Sequence, residues 1–122
     1  MDKNITAIMD IICEILDVEN EQVQAETYVI RDLGAESIDL LELAVTLSDL
    51  FKIEISDEDI FLKSLRGYIE DAKDRKISPE PLLAEKYPFL CRSRIRDILA
   101  DLDEGPVLKV RDLLDYVQQK TA

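Results

Sequence analysis

Asp32-Leu33-Gly34-Ala35-Glu36-Ser37-Ile38-Asp39-Leu40-Leu41-Glu42-Leu43 is the stretch from which the fold is read. Glycine takes positive φ with no Cβ penalty, so Leu33-Gly34 is a tight turn, and the apolar pattern that starts at Ile38 is the helix it launches. Ser37 then stands at a helix N-terminus. There the unpaired N–H groups and the positive end of the helix dipole favour an attached anion such as a phosphate. The competing reading is that Ser37 or Glu36 merely caps the helix.

The helix spans about 37–51. Its apolar residues Ile38, Leu40, Leu41, Leu43, Val45, Leu47 and Leu50 cover most of its circumference, the pattern of a central helix touched on several sides. Asp39, Glu42, Thr46 and Asp49 recur at +3, +4 and +3 and so share one narrow stripe. A plain solvated face commonly mixes signs to gain i,i+4 pairs, and this stripe has no lysine or arginine. It reads as an acidic ridge beside Ser37.

Upstream, Ile5, Ile8, Ile12 and Ile15 share one face and predict a first helix over 4–18, followed by a long connection over 19–36. Downstream, Ser56-Asp57-Glu58-Asp59 resembles a capping box and predicts a third helix running to about Arg75 through Phe61, Leu65, Tyr68 and Ala72. Ser78-Pro79 opens a short helix ending near Tyr87-Pro88. Another is expected over 93–102, stopped by Gly105-Pro106, and a last one carries Val110, Leu113, Leu114 and Val117. No segment alternates with period two between hairpin turns, so the chain reads as all-α.

At 122 residues with 47% hydrophobic content, a single domain with a sizeable core is expected. The net charge of −12 disfavours nucleic acid and anionic membranes as partners. That charge is concentrated: residues 1–60 hold three basic against sixteen acidic side chains, and residues 61–122 hold twelve against eleven. Such asymmetry suggests one face built for a basic protein surface. Cys13 and Cys91 lie far apart and predict no disulfide framework. With no leader pattern and no apolar run near ~20 residues, a cytoplasmic monomer without an integral membrane segment is expected.

Histidine is absent, which removes Ser-His and Cys-His dyads and histidine metal sites. No EF-hand loop or GxxxxGK[ST] phosphate loop is present, and two distant cysteines make no ordinary zinc site. No catalytic or metal-ligating set emerges. Ser37 makes more sense as a residue that is modified than as one that attacks a substrate.

The opening stretch resembles the attachment motif of acyl carrier proteins, D-L-G-x-D-S-L-D-x-x-E-L. The likeness extends through Ile15-Leu16-Asp17-Val18 and Val23, through Leu50-Phe51-Lys52-Ile53-Glu54-Ile55, and resumes over 108–117. The resemblance implies an acyl-carrier-like helical bundle with 4′-phosphopantetheine joined covalently to Ser37 by a separate phosphopantetheinyl transferase using coenzyme A, and acyl groups carried as thioesters. It makes Asp32, Glu36, Asp39, Glu42 and Asp49 the expected docking residues for the basic patches of the transferase and of acyl-loading and acyl-processing enzymes. It assigns Ile38, Leu41, Val45, Leu47, Ile55, Ile60 and Leu114 to the lining of an acyl pocket.

The chain departs from the family's pattern in three places. Glu36 and Ile38 replace Asp and Leu around the serine, Ser56 replaces a usual proline, and about forty extra residues precede the last helix. Residues 1–60 and 107–120 then form the family-like bundle and 61–106 a helical insertion packed on it, all within one domain. The insertion contains Arg92, Arg94 and Arg96 at the start of one helix, and is read as added core, a lid or a docking surface. Its aromatic residues Phe61, Tyr68, Tyr87 and Phe89 read as core. The insertion points to a specialised fatty-acid or lipid pathway. A peptidyl or aminoacyl carrier is the nearer alternative, and an unmodified acidic helical interaction protein is the one of a different class.

Overall fold

Ile8 and Ile12, one turn apart, are sealed in the core and anchor α1 (Asp2–Leu16) of the computed structural model, which describes residues 2–121. The helix stops short of the predicted Val18. Asp17 takes φ +55°, and the Val18 N–H reaches back to the Cys13 carbonyl at 3.1 Å, closing the end with a left-handed residue. A 3-10 turn, Asn20–Gln22, follows, and an irregular connection leads to α2 (Ser37–Phe51), whose bounds are those predicted. Lys52 ends α2 in the left-handed conformation.

The helix expected over 56–75 is two. Ser56 caps α3 (Asp57–Ile60), its hydroxyl accepting the Asp59 N–H at 3.4 Å, and α4 (Leu65–Asp74) starts only after Leu62 has taken φ +56°. Adjacent residues point about 100° apart on a continuous helix. The break lets three consecutive residues, Ile60, Phe61 and Leu62, all turn into the core, where on a continuous helix they would spread over about 200°. Pro79 opens α5 (Pro79–Lys86), α6 covers Arg92–Asp101, a 3-10 turn covers Leu102–Glu104, and α7 covers Val110–Thr121. Among the described residues the fold is all-α, with one isolated antiparallel bridge between Tyr28 and Lys109. Cys13 and Cys91 are both free, and no described helix is long and apolar enough to cross a membrane.

Residues 61–106 share the core of the other helices. Leu83, Tyr87, Phe89, Ile95 and Ile98 belong to the same buried cluster as Ile8, Leu43, Leu47 and Leu113. Edge-on ring contacts run from Tyr68 to Tyr87 (5.7 Å), on to Phe89 (6.0 Å) and on to Tyr116 of α7 (5.1 Å). Phe61, Tyr87 and Phe89 are buried and Tyr68 half-buried, as core aromatics should be.

Arg92, Arg94 and Arg96 do not form one exposed cluster. Arg92 and Arg96 reach the surface beside Glu80, while Arg94 is fully buried. Its Nε and Nη2 each donate to the Asp112 carboxylate at 2.8 Å, and Nη2 also donates to the Val107 carbonyl at 2.6 Å. Asp112 is buried too and additionally accepts the Lys109 N–H at 2.9 Å, opening α7. This bidentate pair fastens α6 to α7.

Removing one partner strands the other charge in the core. Arg94→Met should lower the unfolding free energy by about 3–5 kcal/mol. Replacing both residues by apolar ones, Arg94→Met with Asp112→Leu, should recover part of that loss, with the Lys109 cap still missing. Urea unfolding midpoints of the three proteins check both expectations.

Candidate functional site

Ser37 is delivered by a loop that is hydrogen-bonded to itself. The Asp32 carboxylate accepts the Tyr28 N–H at 3.0 Å, the Tyr28 carbonyl accepts the Asp32 and Leu33 N–H groups at 3.1 and 3.2 Å, and the Val29 carbonyl accepts Ala35 N–H at 3.2 Å. Gly34 closes the turn with φ +71°. Nothing crowds the place where its Cβ would sit, so conformation rather than space demands glycine there. Val29 and Ala35 are buried and pin the loop to the core.

Ser37 is the first residue of α2, and it does not cap the helix. The N-cap position belongs to Glu36, in extended conformation, and its N–H donates to the Asp39 carboxylate at 2.9 Å. Capping thus falls to Glu36 and Asp39. Ser37 is exposed at the positive end of a fifteen-residue helix.

The proposed docking residues divide. Asp32, Glu36, Glu42 and Asp49 are exposed, whereas Asp39 is half-buried and engaged by the Glu36 N–H. Asp32 both faces solvent and closes the turn. The reading of α2 as a helix covered on several sides needs correction. Leu40, Leu43, Ala44 and Leu47 are buried, but Ile38 is 70% exposed and Leu41 and Val45 are each 55% exposed. The physical reason is that α2 packs on α1, while α4, α5 and α6 pack on one another. Ile38, Leu41 and Val45, at i, i+3 and i+7, form an apolar ridge alongside the acids.

The residues assigned to an acyl pocket are correspondingly dispersed. Leu47 and Ile60 are fully buried in the core. Leu41, Val45 and Ile55 line a shallow depression of about 200 Å³ with Ser48 and Asp49. Leu114 faces another depression with Ile5 and Ile8, and Ile38 stands on the surface. The seven do not share one cavity, because the outward half of α2 has no helix laid over it.

Three residues that sequence reasoning did not single out hold the serine loop from the side. Arg31 donates from Nη1 to Asp101 Oδ1 at 3.1 Å and from Nη2 to the Asp101 and Gly105 carbonyls at 3.2 Å each, and the Tyr28 hydroxyl donates to Asp101 Oδ2 at 2.6 Å. The guanidinium lies 4.1 Å from the centre of the Tyr28 ring. One signal was present in the sequence: Arg31 is the sole arginine among the sixteen acids of residues 1–60. The Tyr28 hydrogen bond first, then the Arg31 hydrogen bonds and the positive charges of Arg31 and Lys109, hold the Asp101 carboxyl below its ordinary range.

Among the described residues no group of three or more Cys, Asp or Glu side chains is arranged to hold a metal ion. Comparison with known proteins gives one family match: the model described as "Phosphopantetheine attachment site" covers residues 6–70. An acyl carrier protein of Campylobacter curvus is 37% identical over 67 residues, 52% of this chain and 87% of that protein. One from Bdellovibrio bacteriovorus is 46% identical over 52 residues, 43% of this chain and 67% of its own length. One from Campylobacter hominis is 36% identical over 73 residues, 57% of this chain and 92% of its own length.

A carboxyl whose folded-state pKa is depressed adds stability above its unfolded pKa and loses it as pH falls through the folded value. The stability difference between the wild type and Asp101→Asn should therefore be constant above about pH 5 and close as pH falls below about 4. Urea unfolding of both proteins across that range measures it.

Proposed function

The chain belongs to the acyl carrier protein family, and we propose that Ser37 is the residue bearing the covalently attached 4′-phosphopantetheine that membership implies. What carries the assignment is the division of labour at the start of α2. Glu36 and Asp39 take the capping, so the Ser37 hydroxyl is left on the surface inside the matched region. The site fits a phosphodiester: the serine is accessible, and the N–H groups of the first turn and the helix dipole favour the added negative charge. The attached arm supplies a thiol on which acyl groups are held as thioesters. The protein itself is a carrier and not a catalyst.

The transferase and the acyl-processing enzymes would approach along α2. Ile38, Leu41 and Val45 offer an apolar ridge, and Glu42 and Asp49, with Asp32 and Glu36 near the turn, offer the charge that a basic patch complements. Asp39 serves this surface indirectly, by holding the helix start. Residues 61–106 are read as a segment added to the family frame. The family match itself reaches ten residues into this segment, to residue 70, and the relatives cover about half of the chain, so the reading rests on the likeness of residues 108–117 to the family's last helix. The extra surface favours dedicated partner enzymes and a specialised fatty-acid or lipid pathway.

Incubated with coenzyme A and a broad-specificity phosphopantetheinyl transferase, the protein should gain the mass of one phosphopantetheinyl group, and Ser37→Ala should gain none. An unchanged wild type under conditions that modify a control carrier would sink the carrier reading, and modification of Ser37→Ala would sink the assignment to Ser37. On the helix surface, Leu41→Ala should change stability by no more than about 0.5 kcal/mol while raising the KM of a loading enzyme. Leu47→Ala, in the core, should cost about 2–5 kcal/mol. Unfolding curves beside loading kinetics separate the two.

A further inference from the structure

We infer that Asp101, with Arg31 and Tyr28, is a positioning residue for Ser37, so that residues 61–106 govern how readily the serine is modified without touching the transferase. The inference rests on the assignment of the arm to Ser37. Its basis is the end of α6. A helix leaves its last carbonyls without intrahelical donors, and those carbonyls form the negative end of its dipole. Here two guanidinium groups satisfy them. Arg31 reaches in from the serine loop to the carbonyls of Asp101 and Gly105, and Arg66 reaches in from α4 to those of Leu102 (2.8 Å) and Gly105 (3.1 Å). Gly105, at φ +121°, turns its carbonyl toward both, and a Cβ there would lie 3.5 Å from Arg31 Nε.

The connection that carries the serine loop is held from two sides. On one side it pairs with the start of α7: the Val29 N–H donates to the Leu108 carbonyl at 3.0 Å, the Thr27 and Ala25 carbonyls accept the Val110 and Arg111 N–H groups at 2.9 Å each, and Lys109 pairs with Glu26 at 2.8 Å. On the other stands the Arg31 side chain on Asp101, with the Tyr28 ring stacked against it and the Tyr28 hydroxyl on the same carboxylate. Arg31 and Asp101 are each about one-fifth exposed, at the margin of the core, so the network is not what fills the interior. Its reach is local, and it lies six residues ahead of Ser37 in the chain. When the second attachment is released, the loop samples arrangements the transferase does not accept. The apparent affinity falls by the fraction of molecules left in the competent arrangement, while turnover of the bound complex is unchanged.

The test uses the full unmodified chain, coenzyme A and a broad-specificity phosphopantetheinyl transferase. Asp101→Ala should raise the KM for the carrier several-fold, on the order of 3- to 10-fold, with kcat held within about twofold. Tyr28→Phe, which keeps the ring and the Arg31–Asp101 pair, should give a smaller rise of the same kind. Arg31→Lys should fall between them, because an ammonium can pair with Asp101 but cannot span both carbonyls. Urea unfolding verifies that each variant is folded, and the two milder variants carry the test if Asp101→Ala is not. Wild-type KM in the folded variants, or a fall in kcat at constant KM, overturns the inference and leaves Ser37 as the attachment residue. An unmodified wild type overturns that assignment and this inference together.

Discussion

A guanidinium fully removed from water needs its charge matched, and Arg94 takes its counter-charge and two hydrogen bonds from Asp112 and a third from the Val107 carbonyl, with Nη1 left unpaired among the described residues. Because the pair is bidentate and closed at both ends, it accepts very little sliding of α6 along α7. The rest of the architecture follows from that register. With α6 set, its C-terminal carbonyls lie where Arg31 and Arg66 meet them, and the aromatic series from Tyr68 to Tyr116 closes across the same boundary. With α7 set, the Tyr116 hydroxyl accepts the Ser56 N–H at 3.1 Å and places the start of α3. A buried ion pair is weak evidence for net stability, and its contribution here is better understood as specifying one arrangement of the described helices.

Against this frame α2 is placed with unusual economy. Four of its side chains, Leu40, Leu43, Ala44 and Leu47, supply its buried face, and another set of apolar residues is left facing solvent. Exposed isoleucine, leucine and valine in one row on an otherwise acidic helix are costly for solubility and gain nothing in folding. They are intelligible as a contact surface beside the serine that we propose as the attachment residue. The acids on the same side set charge and orientation, and the ridge offers apolar area to a partner.

The bounds of α2 were legible because the local signals agreed: a glycine turn, a capping residue at Glu36 or Ser37 and a sustained helical apolar period. Other features were hidden for physical reasons. Leu62 takes a left-handed conformation that glycine or asparagine usually announces, so the break between α3 and α4 left no mark in residue type. Arg94 looks like its exposed neighbours Arg92 and Arg96, and only its place four residues before Ile98, on the apolar face of α6, set it apart. An all-round apolar helix reads as buried, and nothing in the residues of α2 said that half of its circumference would stay uncovered. The Arg31–Asp101 contact spans seventy residues, beyond any local periodicity.

If α4 to α6 are part of the frame that presents the serine loop, they must not open separately from it. Native-state amide hydrogen exchange at increasing denaturant measures this directly. The slowest amides of α6 should merge onto one unfolding isotherm with those of α1, α2 and α7. A distinct opening of α4 to α6 at lower free energy, with α1, α2 and α7 still protected, would contradict it.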